Sequence, residues 1–304
     1  GRAREYAVHV GPNLWLGVAA LQYTHKTNDQ RFLPLARSIG EWVRQLQQED
    51  PEGGIRGGPH ETWFSTEHNL DAYAFFQMLA EVSGESSYHE DGARVLRWLQ
   101  RYAHGRLPGQ INRGRGDATI ATDTFAWAIA AVGPEELLRA GFDPDRILTF
   151  AKDHCAVRTT VHRPGEEPFQ VEGFDFSKPR HLARGGIVST EWTGQMIVSL
   201  KLMALYHQGQ GSEAQAERYL AEARHYQEEL RKLAIQSPCP LGHPGVSFPY
   251  ATHQNVDTGH GWRTPHGNST GSISGTVYAI FAFLGYNPLR LFAPAQAFVT
   301  LPDA

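Results

Sequence analysis

The chain has 304 residues, enough for one large domain or two ordinary ones. Hydrophobic residues make up 41% and charged residues 20%, a balance that is typical of globular proteins and excludes an intrinsically disordered chain. The formal net charge is −4, and basic residues form no broad field that would hold nucleic acid or an anionic membrane. The longest apolar stretch, 125–132, is far shorter than the roughly 20 residues that a membrane span requires.

Cysteine usage and the first residues leave the compartment open. Cys155 and Cys239 are too few for a disulfide framework and lack a metal-binding spacing, although one bridge between them is compatible with the sequence. The sequence begins Gly1-Arg2-Ala3, and we recognise no targeting sequence in it. A secreted or periplasmic location follows if a leader has been removed.

Apolar residues recur at three- and four-residue spacing along most of the chain, which predicts helices. Some segments are apolar on one face only and predict amphipathic surface helices: 32–46, 95–99 and 213–235. Five others are apolar nearly all round, so each must be buried on every side: 14–23, 70–82, 125–132, 197–206 and 277–284. The chain therefore alternates buried helices with half-exposed ones, and strand patterns are nearly absent.

A threonine followed by a carboxylate precedes three of the buried segments, as Thr66-Glu67, Thr122-Asp123 and Thr190-Glu191. These pairs recur at intervals of roughly 60 residues, a period that fits an αα-hairpin stacked on its neighbours. Asn13 and Ser274 hold comparable positions before the first and fifth buried segments, without the carboxylate. We count five inner helices and four clear outer ones.

Hairpins of this kind can close into a ring whose parallel inner helices open their N-termini on one face. We therefore predict an all-α fold in the form of a closed ring, with an open α-solenoid as the alternative. Two loops, near 156–188 and 236–273, are too long to be simple connections. The second is rich in Gly and Pro and predicts a wall or lid over a site.

A closed ring would gather Glu67, Asp123 and Glu191 at the rim of one cavity, with Asp71 one helical turn below Glu67. Asp175 is a further candidate, and it lies in the long loop before the fourth buried segment. Several converging carboxylates favour general acid/base hydrolysis of glycosidic bonds. The alternative is that the Thr-acid pairs only cap helices and complement their dipoles.

Aromatic side chains accompany these acids. Trp63 precedes Glu67, Trp192 follows Glu191, and Trp262 lies in the second long loop. Indole rings are good platforms for the apolar faces of sugars, although core packing is the alternative for Trp63 and Trp192.

The basic residues near the predicted mouth allow several interpretations. His68, His253 and His260 lie there without a metal-binding spacing, so no metal and no cofactor are predicted. Three arginines of the mouth loops could bind a carboxylated sugar or pair with the acids: Arg56, Arg184 and Arg263. The string from Arg113 to Asp117 is interpreted as a turn.

Longer strings resemble a known group of proteins. Ser65-Thr66-Glu67-His68-Asn69-Leu70-Asp71-Ala72-Tyr73 and Ser189-Thr190-Glu191-Trp192-Thr193-Gly194-Gln195 resemble the six-hairpin glycosidase-like superfamily. So do Gly275-Thr276-Val277-Tyr278-Ala279 and Gly285-Tyr286-Asn287-Pro288.

The resemblance covers residues 10–290 and implies an (α/α)6 toroid, taken here as one domain over residues 1–304. Six hairpins need twelve helices and the sequence predicts nine or ten, so an incomplete ring is an alternative. The superfamily holds glycoside hydrolases, polysaccharide lyases and sugar 2-epimerases, and therefore implies carbohydrate chemistry.

We expect a glycoside hydrolase that acts on an oligo- or polysaccharide, with Glu191 as proton donor and Glu67 as base. The other catalytic candidates are Asp71, Asp123 and Asp175. The substrate-binding candidates are Trp63, His68, Tyr73, Trp192, Gln195, His260, Trp262 and Arg263. A carbohydrate is the expected partner, without nucleic acid or a membrane span, and the oligomeric state is open.

Two alternatives to the hydrolase remain. The first is an epimerase or lyase in which His68, His253 and His260 transfer the protons. The second is a non-catalytic glycan-binding module or helical scaffold, in which the carboxylates would serve as helix caps only.

Overall fold

A computed structural model describes residues 7–236 and 245–291 of the chain. Ten α-helices lie in these ranges: α1 (Val10–Thr27), α2 (Leu33–Gln48), α3 (Thr66–Ser83), α4 (Ser87–Tyr102), α5 (Thr122–Trp127), α6 (Pro134–Arg139), α7 (Pro144–Cys155), α8 (Thr190–Gly209), α9 (Glu213–Lys232) and α10 (Ile273–Leu284). Helix α5 continues into a π-helical turn over Ala128–Val132. No helix in the described ranges is both long and apolar enough to cross a membrane.

The helices form two layers of a ring. The inner layer follows the order α1, α3, α5, α8, α10, in which each helix packs on the next. Outside it, α2 packs on α1, α4 on α3, α7 on α5 and α9 on α8. Side chains such as Leu14, Phe75, Phe125 and Leu200 are fully buried because inner helices contact protein on several sides. The all-α ring predicted from the periodicity is confirmed.

Helices α1 and α10 are the two ends of the inner layer. Gln22 of α1 donates hydrogen bonds to the carbonyl oxygens of Pro288 and Arg290, at 3.0 and 2.8 Å. The rings of Trp15 and Tyr278 meet edge to face at 6.3 Å. Within residues 7–236 and 245–291 five inner helices are present, so a gap remains where a sixth hairpin would complete the toroid.

The first long loop contains a short β-hairpin that the sequence patterns did not predict. Strands β1 (Ala156–Val161) and β2 (Phe169–Phe174) form an antiparallel hairpin there, with Ala156 opposite Phe174. Its Val161, Val171 and Phe174 side chains are buried in the core. β-Branched residues favour this extended conformation, and the short run was hidden between helical patterns.

The second long loop contains a smaller sheet. Strands β3 (Ile235–Gln236) and β4 (Val246–Ser247) pair in antiparallel fashion. Residues 237–244 between them, which include Cys239, lie outside the described ranges, so the bridge that the sequence allows between Cys155 and Cys239 stays open. Cys155 is buried at the end of α7.

Asn69 fixes the loop before α3, and so the entry to that helix. Its side chain accepts from the backbone N–H of Ile55 at 2.9 Å and donates to the carbonyl oxygens of Ile55 and Ser65 at 2.9 and 2.8 Å. The residue is completely buried. These bonds tie the chain around Ile55 to the first turn of α3.

We expect Asn69→Ala to destabilise the protein by about 2–4 kcal/mol, because a buried N–H and two carbonyl groups lose their partners. Chemical denaturation measures the change in unfolding free energy. Asn13→Ala is the matched control, since Asn13 makes one half-buried bond to the carbonyl of His9. Equal effects of the two substitutions would contradict the assignment.

Candidate functional site

Two cavities meet at the N-terminal ends of the inner helices. The first has a volume of about 480 Å³ and the second about 860 Å³. Both are lined by Glu67, Asp123, Trp192 and Trp262, so the two spaces join at these side chains. Glu191 lines the second cavity. The structure thus brings together acids from α3, α5 and α8, as the repeat predicted.

The caps of α3 and α8 are serines, not the acids, whereas in α5 the Asp123 Oδ1 itself accepts from the N–H of Thr124 at 2.8 Å. Ser65 accepts from the N–H of His68 at 3.4 Å, and Ser189 accepts from the N–H of Trp192 at 3.3 Å. Glu67 and Glu191 stand two residues after these caps, in the first helical turn. The carboxylates of Glu67 and Glu191 are therefore not used as caps. This disfavours the interpretation that these two acids serve only to cap the N-termini of their helices.

Burial and mutual repulsion act on these carboxyl groups. Burial raises the pKa of Glu67, while the nearby Arg113 guanidinium opposes that shift. Burial, and then the charge of Glu67, raise the pKa of Asp123 well above its ordinary value. Burial raises the pKa of Glu191 to about 7, with a further contribution from Glu67. The site therefore retains protons on carboxyl groups near neutral pH.

Asp71 lies one turn below Glu67 and is completely buried. The indole N–H of Trp127 donates to its Oδ1 at 2.6 Å, and Trp15 also hydrogen-bonds to this carboxyl. Its Oδ2 has no hydrogen-bond partner among the described residues. Burial, and then the charge of Glu67, raise the pKa of Asp71 well above its ordinary value. Burial and the neighbouring Glu67 charge thus both favour the neutral form of Asp71 beneath Glu67.

Side chains from α8 and α10 hold Glu191. Gln195 donates to its Oε1 at 3.3 Å from the next turn of α8, and Ser274 hydrogen-bonds to it from the start of α10. Gln195 is buried, and it lines neither of the two large cavities. This predicted substrate-binding residue instead positions a carboxylate.

Arg113 is the main residue that sequence analysis missed. It lines the first cavity, and its positive charge acts to lower the pKa values of Glu67 and Asp123. Its Nη1 lies 3.5 Å from Oδ2 of Asp117. The string 113–117 does form a turn, as interpreted, with the N–H of Asp117 donating to the carbonyl of Gly114. The Arg113 carbonyl also accepts from the N–H of Thr66 at 2.7 Å, which brings the turn to the start of α3. No local pattern signals this long-range contact.

Asp175 does not join the acid cluster. Its two oxygens accept from the Arg184 guanidinium at 2.6 and 2.7 Å and from the N–H of Ile187 at 2.9 Å. Asp175 is completely buried and lines neither large cavity. The prediction that Asp175 is a catalytic acid is therefore wrong, because its carboxylate is used in a buried structural ion pair. Of the two interpretations given for Arg184, the structure shows pairing with an acid.

The three predicted tryptophans all lie at the cavities. Trp63 lines the first and is 42% exposed, whereas Trp262 lines both and is 41% exposed. Trp262 donates from its indole N–H to the Tyr250 hydroxyl at 2.9 Å. Trp192 is buried against Phe176 but still contacts both cavities. Core packing and cavity lining therefore coexist in Trp192.

Two of the three predicted histidines line the first cavity. Burial lowers the pKa of His68 and of His260 to about 4, so both imidazoles are neutral near neutral pH. His260 contacts the carbonyl oxygen of Phe176 at 2.8 Å. His253 lies outside both cavities and contacts the Thr252 hydroxyl. No cluster of three or more metal-binding side chains occurs in the described part of the chain.

The remaining candidates lie away from the cavities. Tyr73 is buried on α3 and lines neither large cavity, and burial raises the pKa of its hydroxyl. Arg263 is exposed and donates to Asn255, and Arg56 pairs with Glu49. These residues were named from motif strings or loop positions, and both are poor guides to the direction in which a side chain points.

The structure is similar to several solved glycosidases. The unsaturated glucuronyl hydrolase from Bacillus sp. GL1 superposes with a TM-score of 0.65 at 14% identity, over 93% of this chain and 76% of that one. The α-1,6-mannanase GH76A from Salegentibacter sp. HEL1_6 gives 0.56 at 17%, over 93% and 77%. A possible member of the GH105 family from Salmonella enterica gives 0.56 at 12%, over 93% and 72%.

The chain has the six-hairpin glycosidase fold. No protein-family model matches the sequence, and no curated protein matches it either. The likeness, at identities of 11–17%, therefore concerns the fold. It agrees with the superfamily resemblance in the motif strings, without selecting one family in it.

Within this six-hairpin fold, the raised pKa of Glu191 predicts a pH-dependent stability. The neutral carboxyl is favoured in the folded state, so its stabilising contribution is present below pH 4.5 and is lost as pH rises through about 7. We expect Glu191→Gln to stabilise the protein relative to wild type by about 1–2 kcal/mol near pH 8 and by much less near pH 5. Thermal unfolding at both pH values measures this difference. Glu81→Gln is the control, because Glu81 is exposed on α3. If the stability change caused by Glu191→Gln were the same at both pH values, the raised pKa of Glu191 would be contradicted.

The buried ion pair between Asp175 and Arg184 predicts that loss of the Asp175 charge destabilises the protein. Asp175→Asn should lower the unfolding free energy by about 3–5 kcal/mol, because it leaves the largely buried Arg184 guanidinium without its charge partner. Denaturant titration measures the loss. Replacement of the exposed Asp143, which pairs with Arg146, by Asn is the control with an expected change below about 1 kcal/mol. A change of similar size in both variants would refute a structural role for Asp175.

Proposed function

We propose that this chain is a glycoside hydrolase that cleaves an oligo- or polysaccharide by carboxyl general acid/base catalysis. The observation that supports this most strongly is the meeting of Glu67, Asp123 and Glu191 where two tryptophan-lined cavities join. Carboxyl pairs that flank a bond perform this chemistry in glycosidases. Indole faces beside them suit the apolar faces of sugar rings.

Glu191 is the proposed proton donor. A general acid works best when its pKa is near the working pH, and burial raises the pKa of Glu191 to about 7. In the reaction its proton passes to the glycosidic oxygen as the bond to the sugar carbon breaks. Gln195 and Ser274 hold the carboxyl in place for this transfer.

Glu67 is the proposed base or nucleophile. Burial raises the pKa of Glu67, and the Arg113 guanidinium opposes that shift. The pKa values of Asp71 below it and Asp123 beside it are raised further, by burial and then by the charge of Glu67, so Glu67 is the member of this group that a cation favours in its ionised form. The Glu67 carboxylate then either activates a water or attacks the sugar carbon. Asp123 and Asp71 tune this pair through their charge state.

Solved structures with this fold guide the choice of substrates. The similar structures include an unsaturated glucuronyl hydrolase that degrades glycosaminoglycan and an α-1,6-mannanase. A useful panel therefore includes acidic unsaturated oligosaccharides, α-1,6-mannan and a neutral β-1,4-glucan. Mass spectrometry of the digests identifies any cleaved linkage.

A histidine-dependent epimerase or lyase is the second candidate. The observation in its favour is that His68 lines the first cavity as a neutral imidazole, with an Nδ1 that has no partner among the described residues. A lyase product absorbs in the ultraviolet, and an epimerase releases no new chain ends. His68→Asn would abolish either activity, whereas hydrolysis through the carboxyl groups depends on Glu67 and Glu191.

We expect Glu67→Gln and Glu191→Gln each to reduce glycan cleavage by at least about 100-fold, because each removes a proton-transfer or nucleophilic group. Release of reducing ends measures the rate. The control is Glu81→Gln, an isosteric change on an exposed face of α3. Full activity in both site variants would refute the proposed function, and binding of glycans without turnover by wild type would favour a binding module.

A further inference from the structure

We propose that Arg184 is a positioning residue that holds one wall of the first cavity in place. The wall is the turn 256–264, whose side chains His260 and Trp262 line this cavity. Arg184 itself lines neither of the two large cavities, so it acts through the turn and without touching a ligand. The inference rests on the proposed function, because the turn faces the space in which a glycan would bind.

The turn 256–264 keeps its shape through its own hydrogen bonds. Both the N–H and the hydroxyl of Thr258 donate to the carbonyl oxygen of Trp262, at 3.1 and 2.8 Å, and Thr258 is completely buried. Gly259 follows with a φ of 84°, a left-handed conformation that glycine adopts without strain. A Cβ atom there would clash with the Ser177 hydroxyl, so the turn packs directly on the segment that follows β2.

Arg184 connects the turn 256–264 to Asp175. Its Nη1 and Nη2 atoms donate to the two oxygens of the completely buried Asp175 at 2.7 and 2.6 Å, and its Nε donates to the backbone carbonyl oxygen of Asp257. The Arg184 side chain is itself only 9% exposed. A guanidinium presents its donors in a rigid planar fork, so the pair with Asp175 also sets the direction in which the Nε–H points. A buried carboxylate thereby fixes where the turn begins.

Two further hydrogen bonds join the same turn to the segment after β2. The Ser177 hydroxyl donates to the carbonyl oxygen of Thr258 at 2.9 Å. Nε2 of His260 donates to the carbonyl oxygen of Phe176 at 2.8 Å, since a carbonyl oxygen can only accept. Together with the bond from Arg184, these contacts hold the turn at three points.

The turn determines where two rings stand in the first cavity. The His260 ring contacts the rings of Trp192 and Trp262, with centroid distances of 5.4 and 5.5 Å. The proposed proton-transfer groups belong to the helices α3, α5 and α8 and not to the turn. A shift of the turn therefore moves the binding surface and leaves the acids in place. Loss of the Arg184 contact should weaken glycan binding more than proton transfer.

Arg184→Lys is the test, because an ammonium group still neutralises Asp175 but has no planar fork that reaches the turn as well. For any oligosaccharide that the wild type cleaves, we expect KM to rise about tenfold while kcat changes less than about twofold. Arg44→Lys is the matched control, since Arg44 also pairs with a completely buried carboxylate, Asp91, at 2.7 Å and lines neither cavity. A loss of stability is expected in both variants, whereas a change in KM is expected for Arg184→Lys alone.

A second measurement needs no substrate. In protein labelled with fluorotryptophan, the fluorine resonance of Trp262 is identified by its loss in Trp262→Phe. We expect this resonance to shift in Arg184→Lys and to stay unchanged in Arg44→Lys. If Arg184→Lys does not fold, the double variant that combines Asp175→Asn with Arg184→Gln replaces it, because neither charge is then left buried alone.

The outcomes separate the two proposals. An unchanged Trp262 resonance in Arg184→Lys, or equal KM values in Arg184→Lys and Arg44→Lys, would overturn the role of Arg184 and leave the hydrolase intact. If the wild type cleaves no glycan, the hydrolase fails, and the Trp262 resonance alone decides whether Arg184 positions the turn.

Discussion

The site depends on one electrostatic constraint: Glu67, Asp123 and Glu191 lie where two cavities join, and Asp71 is completely buried one turn below Glu67. Carboxylates this close cannot all be charged where solvent screening is weak, so some must hold protons. The first-turn positions of Glu67, Asp123 and Glu191 offset part of the repulsion, because helix N-termini carry partial positive charge. Arg113 provides a full positive charge on one side. Proton-holding and ionised carboxyl groups are thereby placed side by side, which is what acid/base chemistry requires.

The ring explains how such a cluster forms at all. Parallel inner helices direct their N-termini to one end, and each contributes the side chains of its first turn to the same space. The walls of that space are aromatic because Trp127, Trp192 and Tyr278 belong to the inner helices themselves. The buried carboxyl groups and the aromatic walls are therefore consequences of the same helical packing, and the indole of Trp127 serves both as wall and as donor to Asp71.

Sequence patterns predicted the parts of this arrangement that repeat. Helical periodicity located the inner helices, and the repeated threonine-acid pairs indicated that Glu67, Asp123 and Glu191 meet. Features that occur once were not visible in this way. The β1–β2 hairpin lies in a single loop, Arg113 reaches the cluster through a tertiary contact, and Asp175 turned out to face Arg184. Tyr73 and Gln195 lie on the correct helices, but their side chains point away from the cavities.

The serine caps of α3 and α8 explain why the carboxylates of Glu67 and Glu191 are not needed as helix caps. A helix N-terminus needs an acceptor for its unpaired N–H groups, and Ser65 and Ser189 supply it one residue before the threonines. Thr66 in turn donates to the carbonyl of Asn112 at 2.6 Å and fastens the turn that bears Arg113. Since neither capping nor loop anchoring uses the carboxylates of Glu67 and Glu191, both remain directed into the cavities. At α3 the serine, the threonine and the acid thus have three separate tasks. At α8 the serine caps the helix and the acid lines a cavity, whereas the Thr190 hydroxyl has no hydrogen-bond partner among the described residues.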